Sequence, residues 1–203
     1  MDITKLVAEL NAISQTGLNY CKDVYDQARF ERINELASII ATNFSTRKYD
    51  EIKEIFAHDV GYKTPKVDIR GAVFKDNKIL MVKETSDGLW SIPGGWADIN
   101  LSPAENTIKE IYEESGYSCK ALKLIGVYDN YKQSSQFVWP HIYKMVFHCE
   151  IISGESIISI ETSEVRFFDQ KELPELSVNR INAKQINDCF KHKYDQQCKA
   201  EFE

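Results

Sequence analysis

Residues 94–117 read GGWADINLSPAENTIKEIYEESGY, and this stretch limits the chain more than any other: a glycine loop opens directly into a tightly capped helix. Ser102-Pro103-Ala104-Glu105 has the form of a capping box, with Ser102 as N-cap and Glu105 reaching back from the third helical position. Pro103 falls at the first helical position, where a missing N–H costs nothing. Gly116 has the place and type of a residue that ends a helix in the left-handed conformation. The spacing predicts a helix over Pro103–Ser115.

At about 100° per residue, Ala104, Ile108, Ile111 and Ser115 share one narrow sector, the face expected to be buried. Glu110, Glu113 and Glu114 fall in another sector, and Lys109 is expected to lie towards Glu105 instead. Like charges three or four apart cost roughly a few tenths of a kcal/mol each on an isolated helix. Three converging carboxylates without a protein cation point to a bound one, and hard oxygen ligands favour Mg²⁺ or Mn²⁺ over zinc. The plainer reading is a solvated acidic face; the double glycine and the paired caps weigh against it.

With those residues in place, the stretch resembles the Nudix box, in which Gly95 is the first glycine, Glu110, Glu113 and Glu114 the metal-binding core, and Gly116 the last glycine. Two positions depart: Leu101 stands where the box has a glutamate, and Lys109 where it has an arginine that commonly pairs with that glutamate. Losing the acid and softening the base together reads as a matched change, and Tyr117 for an aliphatic residue as a packing change. Residues 62–70 (YKTPKVDIR), 87–90 (DGLW), 93–98 (PGGWAD) and 172–177 (ELPELS) are similar to a bacterial branch of Nudix hydrolases. That branch carries a helical N-terminal extension and is usually labelled ADP-ribose or CDP-choline pyrophosphatase.

A chain of 203 residues with 43% apolar content allows one domain with a substantial extension. A net charge of −6 argues against a duplex nucleic-acid binder, so nucleic acid is not an expected partner. Cys21, Cys119, Cys149, Cys189 and Cys198 are odd in number and contain no C-x-x-C, so they read as reduced thiols, neither a zinc site nor a disulfide framework. There is no charged-then-apolar leader pattern and no apolar run of membrane length. The expectation is a soluble cytoplasmic protein with no membrane partner.

Apolar residues recur at helical spacing over residues 3–13 and 26–41, with Gly17 expected to interrupt, and a third short helix is expected over 49–57. About 60 residues of helix struggle to bury enough surface alone, so residues 1–62 are expected to form a dimerisation extension and residues 63–203 the hydrolase domain. From Lys66 the period changes to strands: 67–74, a turn at 75–78, 79–82, 89–92, 119–128, 141–151 and 165–168, with a polar loop over 129–137 and a closing helix over 182–197. This order is that of an α+β fold, an α/β/α sandwich with a mixed sheet, which the resemblance also implies.

The resemblance implies hydrolysis of a nucleoside diphosphate linked to another group, CDP-choline or ADP-ribose, by Mg²⁺ or Mn²⁺ held on Glu110, Glu113 and Glu114, with the carbonyl of Gly94 or Gly95 as a further ligand. Glu113 or Glu114 is a candidate general base, with Glu161 and Glu164, in the loop before the last strand, as alternatives. Arg70, His141, Lys144 and Arg180 are candidates for phosphate contact, and Trp90, Trp96, Tyr128 and Trp139 for stacking on a base or a quaternary ammonium. Two rivals remain: a ligand sensor that has lost turnover, which Leu101 and Lys109 motivate, and an RNA-directed enzyme, which the acidic balance disfavours.

Overall fold

The structure is a computed structural model that describes residues 3–57, 61–133 and 140–203. In chain order the elements are α1 (Ile3–Tyr20), α2 (Val24–Asn43), α3 (Tyr49–Ala57), β1 (Lys66–Lys75), β2 (Lys78–Glu84), β3 (Trp90–Ser91), β4 (Gly94–Trp96), α4 (Pro103–Ser115), β5 (Tyr117–Asp129), α5 (Asn130–Gln133), β6 (Ile142–Gly154), β7 (Thr162–Phe168), α6 (Ala183–Tyr194) and β8 (Glu201–Phe202). They divide into two compact units. One holds the described residues of Met1–Lys66 and Gln133–His141, the other those of Val67–Lys132 and Ile142–Glu203.

The second unit is a mixed sheet with a helix on each face. Strand order is β3-β2-β1-β6-β5-β8, with β4 also paired to β1 and β7 to β2. The short β8 runs parallel to β5, while β2, β4 and β7 join their partners antiparallel. At the β1–β2 turn Asp76 and Asn77 take φ of 50° and 61°, the left-handed pair that a two-residue hairpin needs and that Asx residues tolerate.

Alternation along the strands sorts the core into two layers. Ala72, Ile79 and Met81 point to one face and pack with Ile186, Cys189 and Phe190 of α6. Val73 and Leu80 point to the other and pack with Ile111 of α4. The expected sandwich is thus present, closed on one side by a helix that also carries the acidic residues.

Three details differ from the sequence reading. The last helix stops at Tyr194, three residues early, because the chain turns there to bring β8 onto β5. A one-residue-per-turn pattern cannot signal a two-residue strand. The polar loop opens with α5, and residues 134–139 of it lie outside the described residues. Gly17 does not interrupt α1, which runs on to Tyr20.

The helical unit explains that glycine. Its core is small, comprising Val7, Ala37, Ala41, Ile52 and Phe56, and α2 is capped by Asp23, whose side chain accepts from the N–H groups of Tyr25 and Asp26. At Gly17 an added Cβ would lie 2.4 Å from the ring of Phe30, so the glycine marks a close crossing of α1 and α2. Gly17→Val should therefore overpack this crossing and destabilise the helical unit by about 1–3 kcal/mol. Urea unfolding followed by helical circular dichroism measures this, and an unchanged midpoint would show that α1 and α2 do not depend on the contact.

Candidate active site

α4 is built as its sequence dictates. Ser102 caps the first turn, Glu105 returns the hydrogen bond at 2.8 Å, and Gly116 closes the helix at φ 78°. Its buried face, however, is rotated from the expected one. Thr107, Ile111, Glu114 and Ser115 are buried while Ala104 and Ile108 are only partly so. Glu114 is thus an acid on the buried face, covered by the backbone of the glycine loop.

The loop is shaped for that acid. The N–H of Gly94 donates to Glu114 Oε2 at 2.9 Å. Gly94 has φ 145°, and a Cβ there would lie 2.0 Å from the carbonyl oxygen of Ile69, so no other residue fits the turn. Glu110 packs over the next glycine, its Oε2 only 3.1 Å from where a Gly95 Cβ would be. Burial pushes the Glu114 carboxyl up to about 8, and the like charges of Glu84 and Glu110 add to this against Arg70 and the Gly94 N–H. Burial also raises Glu110, with Glu113 and Glu161 adding and Lys109 and Arg70 opposing.

Glu113 is different. Lys109 Nζ lies 2.7 Å from its Oε2, 3.2 Å from Asp98 Oδ2 and 3.7 Å from Glu110 Oε1. The expectation that Lys109 lies away from the acidic sector is therefore corrected: four residues on along a helix is the next turn of the same face. The loop leading into α4 is tied by buried Asn106, which accepts from the N–H of Asp98 at 2.9 Å and donates to the carbonyl oxygens of Asp98, Leu101 and Ser102.

Behind the carboxylates runs a buried row of charge. Arg70 is 4% exposed and its donors are engaged: Nε and Nη2 with Asp68 at 3.0 and 2.9 Å, and Nη1 with Ser91 Oγ and the Ile92 carbonyl at 3.1 and 3.2 Å. Lys144 on neighbouring β6 reaches the same Asp68 at 3.1 Å. Burial draws the Lys144 ammonium down to about 8, with Asp68 opposing and the positive charges of Arg70 and Arg180 adding. Burial likewise works against the Asp68 carboxylate, but Arg70 and Lys144 outweigh it and hold the group below the usual carboxylate range. Two of the four residues expected to meet phosphate, Arg70 and Lys144, are thus paired with Asp68. They hold the strand beneath the loop.

The remaining expectations divide. Glu164 sits within β7, not in the loop before it, and is clamped by Lys83 at 2.9 Å and by Arg166, with its pKa lowered by Lys83 foremost. Glu161 lies in that loop, near enough to Glu110 for its charge to push that carboxyl up. Arg180 pairs with Glu84 at 3.1 Å and Asp87 at 3.0 Å. Trp90 is core, edge-on to Phe168 at 4.7 Å, and Tyr128 is buried with its hydroxyl 3.0 Å from Asp188. Trp96 is 53% exposed beside the glycine loop. His141 belongs to the first unit, where its carbonyl accepts from the Lys66 N–H, and Trp139 lies outside the described residues.

The sequence reading missed Glu84, a buried acid at the end of β2 that accepts from Ser91 Oγ at 3.1 Å and whose charge reaches both Glu114 and Arg70. An acid ending an apolar strand run was the one visible sign of it. Asp68 and Arg70, two apart on one strand and so on one face, were a clearer signal.

Comparison with known proteins agrees with this architecture. Residues 65–189 match the NUDIX domain family, and residues 1–56 match a family described as a UDP-X-like, N-terminal oligomerisation domain. The chain belongs to the Nudix family. It is 41% identical over 181 residues to YjhB of Bacillus subtilis (strain 168), covering 89% of this chain and 87% of that protein. A crystal structure of an ADP-ribose pyrophosphatase from Streptococcus suis 89-1591 superposes with a TM-score of 0.64 at 34% identity, over 69% of this chain and 100% of that one. A crystal structure of a UDP-X diphosphatase does so with 0.63 at 31% identity, over 99% and 97%.

Nudix membership implies dependence on a divalent metal, and the residues present fit one. Glu110 and Glu114 are hard oxygen donors whose negative charge is disfavoured where they stand, which a dication would relieve. In metal-free protein the raised Glu114 pKa has a definite sign. The folded state holds the proton up to about pH 8 whereas the unfolded chain releases it near 4.5, so this stabilising contribution is full below about pH 4.5 and lost as pH rises through 8. Melting temperatures in chelator across pH 4.5–8 should fall more steeply for the wild type than for Glu114→Gln. Parallel curves would mean that Glu114 titrates normally.

Proposed function

We propose that this protein is a divalent-metal-dependent pyrophosphohydrolase of nucleoside diphosphate sugars, with ADP-ribose-like conjugates as its substrate class. The observation that carries the reading is the pairing of Glu114 with the Gly94 N–H, with Glu110 over Gly95 beside it. Two carboxylates converge there on the glycine loop. Water adds to one phosphorus of the diphosphate, the bridging P–O bond breaks, and the products are a nucleoside monophosphate and a phosphorylated sugar.

Glu110 and Glu114, with the Gly94 carbonyl and Glu113 as further oxygen donors, would hold Mg²⁺ or Mn²⁺, which would supply the positive charge that admits a pyrophosphate and the polarisation that activates water. The protein's own contribution is mostly positioning. The Gly94 N–H fixes the Glu114 carboxylate, and Lys109 holds Glu113 and Asp98 at the mouth of the loop. Lys144 ties β6 to β1 through Asp68, and Arg70 ties β1 to Ser91 and Ile92 just ahead of the glycine loop. Glu161 is the better-placed general base, because Glu164 is neutralised by two cations. Among the described candidates Trp96, exposed at the loop, is the aromatic available for a nucleobase.

The preference for a sugar over choline rests on two supports. The solved relatives are an ADP-ribose pyrophosphatase and a UDP-X diphosphatase, and two of the four aromatics that would cage a quaternary ammonium, Trp90 and Tyr128, are core residues. Phosphate release through a coupled phosphatase, with Mg²⁺ or Mn²⁺, should show ADP-ribose and UDP-sugars turned over well ahead of CDP-choline. Glu110→Gln and Glu114→Gln should each lower kcat by about 100-fold or more, Glu161→Gln should also lower it, and Glu164→Gln should leave it within a few-fold. Normal turnover by Glu114→Gln would sink the assignment, and binding without any turnover across the panel would make the protein a sensor.

Dimerisation through residues 1–62 is part of the same proposal. The helical core is small, Ile13, Leu36, Ile39 and Phe44 are exposed on α1, α2 and the end of α2, and the matching family is described as an oligomerisation domain. Sedimentation of the full chain should give twice the mass of one chain. A monomer at tens of micromolar would overturn it.

A further inference from the structure

A second cluster of ligating side chains stands outside the carboxylate site, where α6 gives way to β8. His192, Cys198 and Glu201 offer one nitrogen, one sulfur and one oxygen, all within 4.8 Å of one another. Among the described residues this is the trio of His, Cys, Asp or Glu that comes this close; Glu110, Glu113 and Glu114 do not. His192 is fully buried, yet neither of its ring nitrogens has a hydrogen-bond partner. A buried imidazole carries one donor and one acceptor that must otherwise be met. Both other groups are half-buried, so the three face each other in a partly dry setting.

We propose that His192, Cys198 and Glu201 form a metal site for a zinc-class divalent ion, separate from the Mg²⁺- or Mn²⁺-dependent one. Imidazole, thiolate and carboxylate are the donor set of zinc, and a thiolate selects against Mg²⁺. Bonds of about 2.0–2.3 Å place ligand atoms around a tetrahedral ion roughly 3.3–3.8 Å apart. The cluster has to contract by at most about 1–1.5 Å, and Cys198 lies outside helix and sheet, between α6 and β8, in a turn where its N–H donates to the Asp195 carbonyl at 3.2 Å. A protein cation already marks the spot: Lys191 Nζ is 2.6 Å from Glu201 Oε1. Its side chain is 55% exposed, so it can swing into water as the ion enters. Loading would pin β8, whose pairing with β5 spans only Gly126–Glu201 and Val127–Phe202, to the end of α6.

The test is a Co²⁺ titration of the metal-free full chain, with Mg²⁺ in large excess to hold the carboxylate site. One equivalent of Co²⁺ should raise a strong near-ultraviolet thiolate-to-cobalt band, discharged by Zn²⁺ and indifferent to added Mg²⁺. Cys198→Ser should abolish the band, and His192→Gln should weaken Co²⁺ binding by about ten-fold or more. Glu114→Gln and Cys21→Ser should keep both. No thiolate band in the wild type, or a band that survives in Cys198→Ser, would overturn the proposal. Cys198→Ser is a conservative change at a partly exposed residue, so its folding, read from an unchanged melting curve, keeps the test valid if His192→Gln unfolds.

Discussion

The second unit depends on a carboxylate being held where water would rather keep it. Glu114 is 4% exposed, and the charge of Arg70 together with a 2.9 Å hydrogen bond from the Gly94 N–H compensates it only in part. Burying an ionised group is costly unless it is paired, so the metal-free protein stores that cost as a raised pKa. Everything nearby serves the placement. Gly94 adopts a backbone conformation closed to other residues, Ile111 fills the core one turn earlier on α4, and Thr162 at the start of β7 donates to the Glu114 carbonyl oxygen at 2.9 Å.

Around that carboxylate the charges alternate in a buried series. Lys144 meets Asp68, Asp68 meets Arg70, and the Arg70 guanidinium faces the fields of Glu114 and Glu84. Removing one member of such a series strands a buried charge, which is far more damaging than losing an exposed pair. The row is therefore a scaffold that fixes strands, and its cations are already paired with Asp68.

The two departures from the Nudix box also find their physical account here. Without an acid at Leu101, the loop into α4 is stitched by the carboxamide of Asn106, which makes four hydrogen bonds to its backbone. Lys109, shorter in its reach of donors than arginine, pairs with Asp98 and Glu113 instead. The loop and the helix remain locked together by a different set of bonds. That is an argument for retained turnover, since the part that the changes touch is still held in place.

The sequence by itself determined α4 to the residue, because its signals are local: a capping box, a proline at the first position and a glycine after the last turn each act within four residues. It also pointed to the sandwich, through the order of strands and helices together with the resemblance carried by the box and its flanking motifs. Membership of the Nudix family was legible in the same short stretch. Only the tertiary structure decided which carboxylates are dry and which are paired. Glu114 is buried because the glycine loop folds over it, and Arg70 and Lys144 are spent because β6 lies beside β1 and brings them to one aspartate. Glu164 is neutralised because β7 lies against Lys83 of β2. Gly17 looked like a break because the ring of Phe30, the reason for it, is thirteen residues away in sequence yet so near in space that a Cβ at Gly17 would lie 2.4 Å from it. Such facts rest on distance through space, which residue spacing along a chain does not encode.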